Sequence, residues 1–166
     1  ERAQLFLRKH NINTFLGYGW GCTESCTIAS NRNAKKSNVA GTAGIPMLNT
    51  TVSSFDTVTG VELPYGAEGE LCICAPTIML GYYKDEQATQ KVLRIHADGQ
   101  IWLHTGDLGY IDRDGVVVVQ GRITRTIFVA SAAKVYPQQL EYEISQITGI
   151  KDVVVCAVPD SDAEGF

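Results

Sequence analysis

The chain has 166 residues, of which 45% are hydrophobic and 19% charged, a size and balance that exclude a disordered or fibrous protein and fit one ordinary domain or pieces of two. Fourteen Lys and Arg against eighteen Asp and Glu leave a net charge of −4 with no basic cluster, which argues against a nucleic-acid partner. No apolar stretch is long enough to span a bilayer and no charged-then-apolar leader opens the chain, so a cytoplasmic protein without a membrane span is the expectation.

The five cysteines, Cys22, Cys26, Cys72, Cys74 and Cys156, are odd in number. A disulfide framework is not expected from such a set in a chain of this length. A zinc site from Cys22, Cys26, Cys72 and Cys74 lacks the usual short ligand spacings, and the cysteines read as reduced, small apolar residues. The sequence begins at Glu1 and stops at Phe166 just after an apolar run, and both ends read as cuts in a longer protein.

In chain order, 1–9 is rich in helix formers and predicts a helix. Ile12 to Leu16 predicts a short strand, broken by the glycine loop Gly17-Tyr18-Gly19-Trp20-Gly21. From about Gly41 to Gly121 short strand-like runs alternate with turn signals: Val52–Val58, Glu70–Cys74, Gln100–His104 and Val116–Gln120. Asp112-Arg113-Asp114-Gly115 is a hairpin signal. One helix interrupts the strands from about Asp85, a suitable N-cap, to Leu93. Thr126–Ala130 then predicts a strand. Pro137 suits a first helical turn, and Leu140, Ile144 and Ile147 form an i, i+4, i+7 stripe. Asp152–Val158 predicts a further strand. The expected architecture is α/β with a β-rich subdomain over about 41–121, followed by the start of a small α+β domain.

Three segments carry chemistry-bearing residues. Gly19-Trp20-Gly21-Cys22-Thr23-Glu24 sets a flat aromatic between two glycines and follows it with a hydroxyl and a carboxylate. Backbone approaches a ligand closely at glycine, an indole offers a stacking face, and a carboxylate suits magnesium. The plainer alternative is a tight turn with a buried Trp and a capped helix. Leu103-His104-Thr105-Gly106-Asp107-Leu108-Gly109 places Asp107 between glycine bends after a strand, where a carboxylate can grip both hydroxyls of a ribose. The alternative is an Asp that satisfies its own turn amides. Gly121-Arg122 opens a new composition zone, where an arginine can reach a phosphate or ribose, or simply lie in solvent. The spacings of His10, His96 and His104 suggest neither a triad nor a metal site. Each reads as structural or exposed, with His104 as a lesser candidate for lining a site.

Taken in order, these segments resemble the adenylate-forming enzymes, the superfamily of AMP-binding acyl-CoA synthetases, luciferases and peptide-synthetase adenylation domains. Gly19 to Glu24 resembles the aromatic-Gly-x-Thr-Glu segment. Gly69-Glu70-Leu71-Cys72-Ile73-Cys74-Ala75-Pro76 through Met79-Leu80-Gly81-Tyr82-Tyr83 resembles the G-E-L-x-I-x-G-P…M-x-G-Y segment. Thr105-Gly106-Asp107 resembles the T-G-D segment. Gly121-Arg122 through Lys134-Val135-Tyr136-Pro137 and Glu141 resembles the hinge and lid. Nearly the whole chain is covered, and the similarity is closest to bacterial acyl-CoA synthetases.

The resemblance implies that 1–123 is the C-terminal part of a large AMP-binding domain and that 124–166 begins a small lid domain. It implies that Trp20, with Gly21 beside it, stacks on adenine, and that Thr23 contacts the α-phosphate region. Glu24 binds Mg²⁺, Asp107 holds the ribose hydroxyls, and Arg122 contacts ribose or phosphate. Thr23 and Glu24 are the catalytic candidates, and Cys22 lies near the acyl substrate. Thr124 stands where the family usually has a charged hinge residue, Ala132 where it has a lid glycine, and Ala75 where glycine is usual. The family's phosphate loop and catalytic lysine are absent from these residues, so the isolated chain is expected to be inactive.

The implied activity is that of an ATP-dependent acid–thiol ligase. It activates a fatty or other carboxylic acid as acyl-AMP and passes the acyl group to coenzyme A. The alternatives are loading of a carrier protein and a non-catalytic nucleotide-binding relative.

Overall fold

A computed structural model of the chain describes residues 2–12, 14, 17–31, 41–129 and 134–158. Lys35, Lys36 and Ala132 lie outside these residues, as do parts of the strands expected at 12–16 and 126–130. The first helix, α1, spans Arg2–Lys9 and ends with Arg8 and Lys9 in its last turn, where cations complement the helix dipole.

Gly19–Cys22 is not a loop but a strand, β1, antiparallel to β2 (Thr27–Asn31). The glycines that suggested a break are what let the two strands close. At the irregularity after Trp20, a Cβ on Gly21 would lie 2.5 Å from the Thr27 carbonyl oxygen and 2.9 Å from the Ala29 nitrogen, so a side chain is excluded there. A 3-10 turn, Thr23–Ser25, closes the hairpin, and the hydroxyl of buried Ser25 lies 2.8 Å from the Cys22 carbonyl and 2.7 Å from that of Thr27, so its one proton is shared between them. A two-residue strand, β3 (Ile45–Pro46), completes this sheet on the β2 side.

The larger sheet is antiparallel and centres on β5 (Gly69–Cys74), with β4 (Thr51–Phe55) on one side and β7 (Ile101–Ile111) on the other. β5 is buried on both faces, with Leu71, Cys72 and Ile73 each at 0% exposure. Alternation sends Leu71 and Ile73 into one apolar cluster with Val52, Leu103 and Val117. It sends Cys72 into a second cluster with Phe55 and Trp102. The helix α2 (Glu86–Val92) is capped by Asp85, whose carboxylate accepts the Ala88 amide at 2.9 Å, and runs into β6 (Leu93–Ile95). β6 pairs with the first part of β7 and β8 (Val117–Arg122) with its last part. The β7–β8 turn forms as the sequence predicts, with the Asp112 carboxylate accepting the Asp114 and Val116 amides.

After β8 a 3-10 turn, Ile123–Arg125, leads to the short pair β9 (Ile127–Phe128) and β10 (Lys134–Val135). The third helix, α3 (Pro137–Ser145), starts on proline as expected. Glu68, just before β5, holds this C-terminal segment. It accepts Lys134 Nζ at 2.6 Å and the Tyr136 hydroxyl. The strand expected at 152–158 has no ladder partner among the described residues. The Val155 amide donates instead to Glu141 at 3.0 Å, because an apolar run becomes a strand only beside a neighbour that takes its backbone groups.

Truncating Leu71 to Ala should cost about 2–5 kcal/mol of unfolding free energy, whereas Leu80→Ala, fully exposed, should stay within about 0.5 kcal/mol, both read by denaturant titration. Burial pushes the Glu68 carboxyl up, but Lys134 and the Tyr136 hydroxyl outweigh it and hold it below the usual range. Its stabilisation is therefore present above its unfolded pKa, about 4.3, and is lost as the pH falls through the lower folded value. Stability followed against pH should fall through that acid window in the native chain and less steeply in Glu68→Gln.

Candidate functional site

The site is built on a defect in the central sheet. Glu70 pairs with Leu108 and Cys72 with His104, so Leu71 alone faces Thr105, Gly106 and Asp107. β7 thus carries two residues more than β5 over this stretch. The T-G-D segment is not a loop beyond a strand at 100–104 but an outward excursion within one long strand. Gly106 adopts φ +73°, a left-handed conformation that glycine takes without penalty.

An excursion strips backbone groups of their ladder partners, and side chains replace them here. The Glu70 carboxylate accepts the Gly106 amide at 2.9 Å. The Thr105 hydroxyl donates to the Leu71 carbonyl at 2.6 Å and accepts the Asp107 amide at 3.1 Å. Arg122 Nη1 donates to the Thr105 carbonyl at 2.6 Å.

Asp107 is the meeting point of the segments singled out in the sequence. Its Oδ2 accepts the Trp20 indole N–H at 2.8 Å across 87 positions of chain. Its Oδ1 lies 3.0 Å from Arg122 Nε, which pairing places opposite it on β8. Burial pushes the Asp107 carboxyl above the ordinary range, against the pull of the indole N–H and the guanidinium. Each carboxylate oxygen accepts more than one hydrogen bond, so these contacts leave acceptor capacity on Asp107 for hydroxyl donors.

Glu24 stands on the hairpin turn, and the Met79 amide donates to its carbonyl at 2.8 Å. The Tyr82 hydroxyl donates to its carboxylate at 2.6 Å, and this bond holds the Glu24 carboxyl below the ordinary range. The same bond pushes the Tyr82 phenol up to about 12. Glu24, Tyr82, Thr105 and Arg122 border one cleft of about 240 Å³, with Cys22 and His104 in its wall. Trp20 faces a second cavity of about 620 Å³, bordered by Tyr18, Val119 and Tyr142. An ionised, partly exposed carboxylate is a hard oxygen donor of the kind Mg²⁺ takes, so Glu24 fits that ion.

Trp20, Asp107 and Arg122 therefore form one bonded set, with Glu24 at the adjoining cleft. Thr23 lies exposed on the turn, and Gly21 serves strand closure. Sequence reasoning gave no role to Tyr82, although it lies in a quoted motif, nor to Glu70. It also separated His96 from His104. Their Nε2 atoms are 2.9 Å apart, and His104 Nδ1 lies 2.8 Å from Glu70. Strand pairing produces both contacts, and no spacing along the chain announces them. Among the described residues, the donor atoms grouped closely enough for a metal belong to Glu70, Cys72 and His104, a set that takes in one of the four cysteines Cys22, Cys26, Cys72 and Cys74 and not the four together. The carboxylate oxygens of Glu70 already hold His104 and Gly106, and burial pushes the Cys72 thiol far up, so these side chains act as a hydrogen-bonded clamp.

Residues 1–83 match the AMP-binding enzyme family. Over 156 residues the chain is 33% identical to 4-coumarate–CoA ligase 4 of Arabidopsis thaliana, covering 92% of this chain and 26% of that protein. It is 31% identical over 149 residues to the long-chain-fatty-acid–CoA ligase of Salmonella typhimurium, with 90% and 25% covered. The crystal structure of ATP-bound MatB from Rhodopseudomonas palustris shares its fold at a TM-score of 0.76 and 29% identity, over 89% of this chain and 28% of that one. The chain spans about a quarter of the length of these curated relatives. It belongs to the AMP-binding enzyme family, the adenylate-forming enzymes that its ordered motifs resemble.

Proposed function

We propose that the chain forms the adenosine and metal side of the active site in an ATP-dependent acid–thiol ligase. The observation that carries this reading is the convergence of Trp20, Asp107 and Arg122 in one bonded set beside the Glu24 cleft. Asp107 takes the ribose hydroxyls on its remaining acceptor sites, and Trp20 offers its indole face to adenine. Arg122 reaches ribose or phosphate, and Thr23 lies toward the α-phosphate. Glu24 is the carboxylate that would hold Mg²⁺, which when bound would supply positive charge against the phosphates.

In the first step a carboxylate oxygen of the acid attacks the α-phosphorus of ATP. The bond to the bridging oxygen breaks, and acyl-AMP and pyrophosphate form. In the second step a thiol sulfur attacks the acyl carbon, loses its proton and expels AMP. The contribution of these residues is positioning and preorganised charge. Coenzyme A is the preferred thiol, since the relatives above are CoA ligases and a carrier protein has no such support. The acid is a fatty or other acyl acid, with Cys22 facing it from the cleft wall. The large domain ends at 123 and the lid begins at 124, on the 3-10 turn that follows β8. A cytoplasmic site of action belongs to the same reading; no helix among the described residues is long and apolar enough to cross a membrane.

In the complete protein that contains this chain, Glu24→Ala and Asp107→Ala should each lower acid-dependent ATP–pyrophosphate exchange by about 10²-fold. Undiminished exchange in both variants would refute the assignment. The 166 residues alone should release no pyrophosphate under the same assay.

A further inference from the structure

Glu70 makes no hydrogen bond to the side chains proposed to meet the nucleotide, yet it accepts the backbone amide next to Asp107. Its side chain is 12% exposed, and its two oxygens are committed in different directions. One accepts the Gly106 amide at 2.9 Å, inside the two-residue excursion of β7. The other accepts from His104 Nδ1 at 2.8 Å. With the Nδ1 proton directed to Glu70, His104 Nε2 is an acceptor, and the Nε2–H of His96 at 2.9 Å is its donor. The line His96–His104–Glu70–Gly106 thus runs from a half-buried imidazole at the sheet edge to the amide that precedes Asp107.

We propose that Glu70 is a positioning residue for ribose recognition, its carboxylate fixing the Thr105–Asp107 excursion through the Gly106 amide while His104 fixes the carboxylate. This rests on the reading of Asp107 as the ribose ligand. Two features set Glu70 apart from a generic buried acid. The amide it accepts has lost its ladder partner to the excursion, so removing the acceptor leaves a half-buried donor unsatisfied. And Gly106, with φ +73° and no side chain, depends on hydrogen bonds to the backbone of the excursion: Arg122 holds the Thr105 carbonyl and Thr105 Oγ1 the Asp107 amide, while Glu70 alone holds the Gly106 N–H. A freed Gly106 lets the Asp107 carboxylate turn away from the position in which Trp20 and Arg122 hold it.

The test uses a pair of nucleotides that differ only where Asp107 acts. Equilibrium binding of ATP and of 2′,3′-dideoxy-ATP is measured on the complete protein and its variants. The native protein should prefer ATP, and Asp107→Ala should bring the ratio close to one. Glu70→Ala should lower the preference about tenfold by weakening ATP and leaving dideoxy-ATP nearly unchanged. Glu70→Gln should restore it to within about threefold, because the amide oxygen still accepts Gly106 and the NH₂ can donate to the other tautomer of His104.

Equal weakening of both nucleotides by Glu70→Ala, or an unchanged ratio, overturns the proposal while leaving Asp107 as ribose ligand. Absence of any preference in the native protein overturns the ribose reading itself, and the proposal with it. Should Glu70→Ala not fold, His104→Leu and His104→Asn decide. The Asn amide stands in for the Nδ1 donor to Glu70 and should preserve the preference that Leu reduces. Equal ratios in these two variants count against the clamp.

Discussion

The carboxylate of Asp107 is the junction on which the arrangement turns. A half-buried acid needs compensating donors, and these come from the indole of Trp20 and the guanidinium of Arg122. Trp20 belongs to the small sheet, Arg122 to the end of β8, and Asp107 to the strand between β5 and β8. One acidic group therefore ties two sheets together at the place where the nucleotide is proposed to lie. The same contacts that make its burial tolerable also orient it.

The large sheet can support this because its centre is rigid. β5 sends apolar side chains into both clusters, so a one-residue slip of its register would exchange the side chains that fill them and spoil the packing of each. Glu70 and Glu68 sit at the start of that fixed strand. One holds the excursion in β7, and the other holds the segment that leads to α3. Two acids two positions apart thus serve separate parts of the structure from one anchored stretch of backbone.

Much of this was legible in the residues. The order of the motifs pointed to Trp20, Glu24, Asp107 and Arg122, and the structure gathers three of them into one bonded set with the fourth alongside. Asp85 and Pro137 marked their helices correctly, because capping and proline chemistry are local. The glycine-rich segments carry a loop signal, yet Gly19–Cys22 and Thr105–Asp107 both lie within strands. Glycine signals either a turn or a close approach between backbones, and only the partner strand distinguishes them. The contacts of Glu70, Tyr82, His96 and His104 span between 8 and 58 positions, and they follow from register and loop placement, not from any period in the sequence. The run at 152–158 is not a strand for the complementary reason, since its composition is right but no strand among the described residues pairs with it.

The irregularity in β7 also shows where this architecture is not optimised for its own persistence. A chain shorter by two residues between His104 and Leu108 could pair continuously with β5, keep every amide in the ladder and dispense with the acid beneath it. Such a protein would own a more regular sheet and, on the proposed reading of Asp107, no carboxylate placed for a sugar. On that reading the surplus dipeptide is a length requirement set by the ligand on a scaffold that would fold more simply without it.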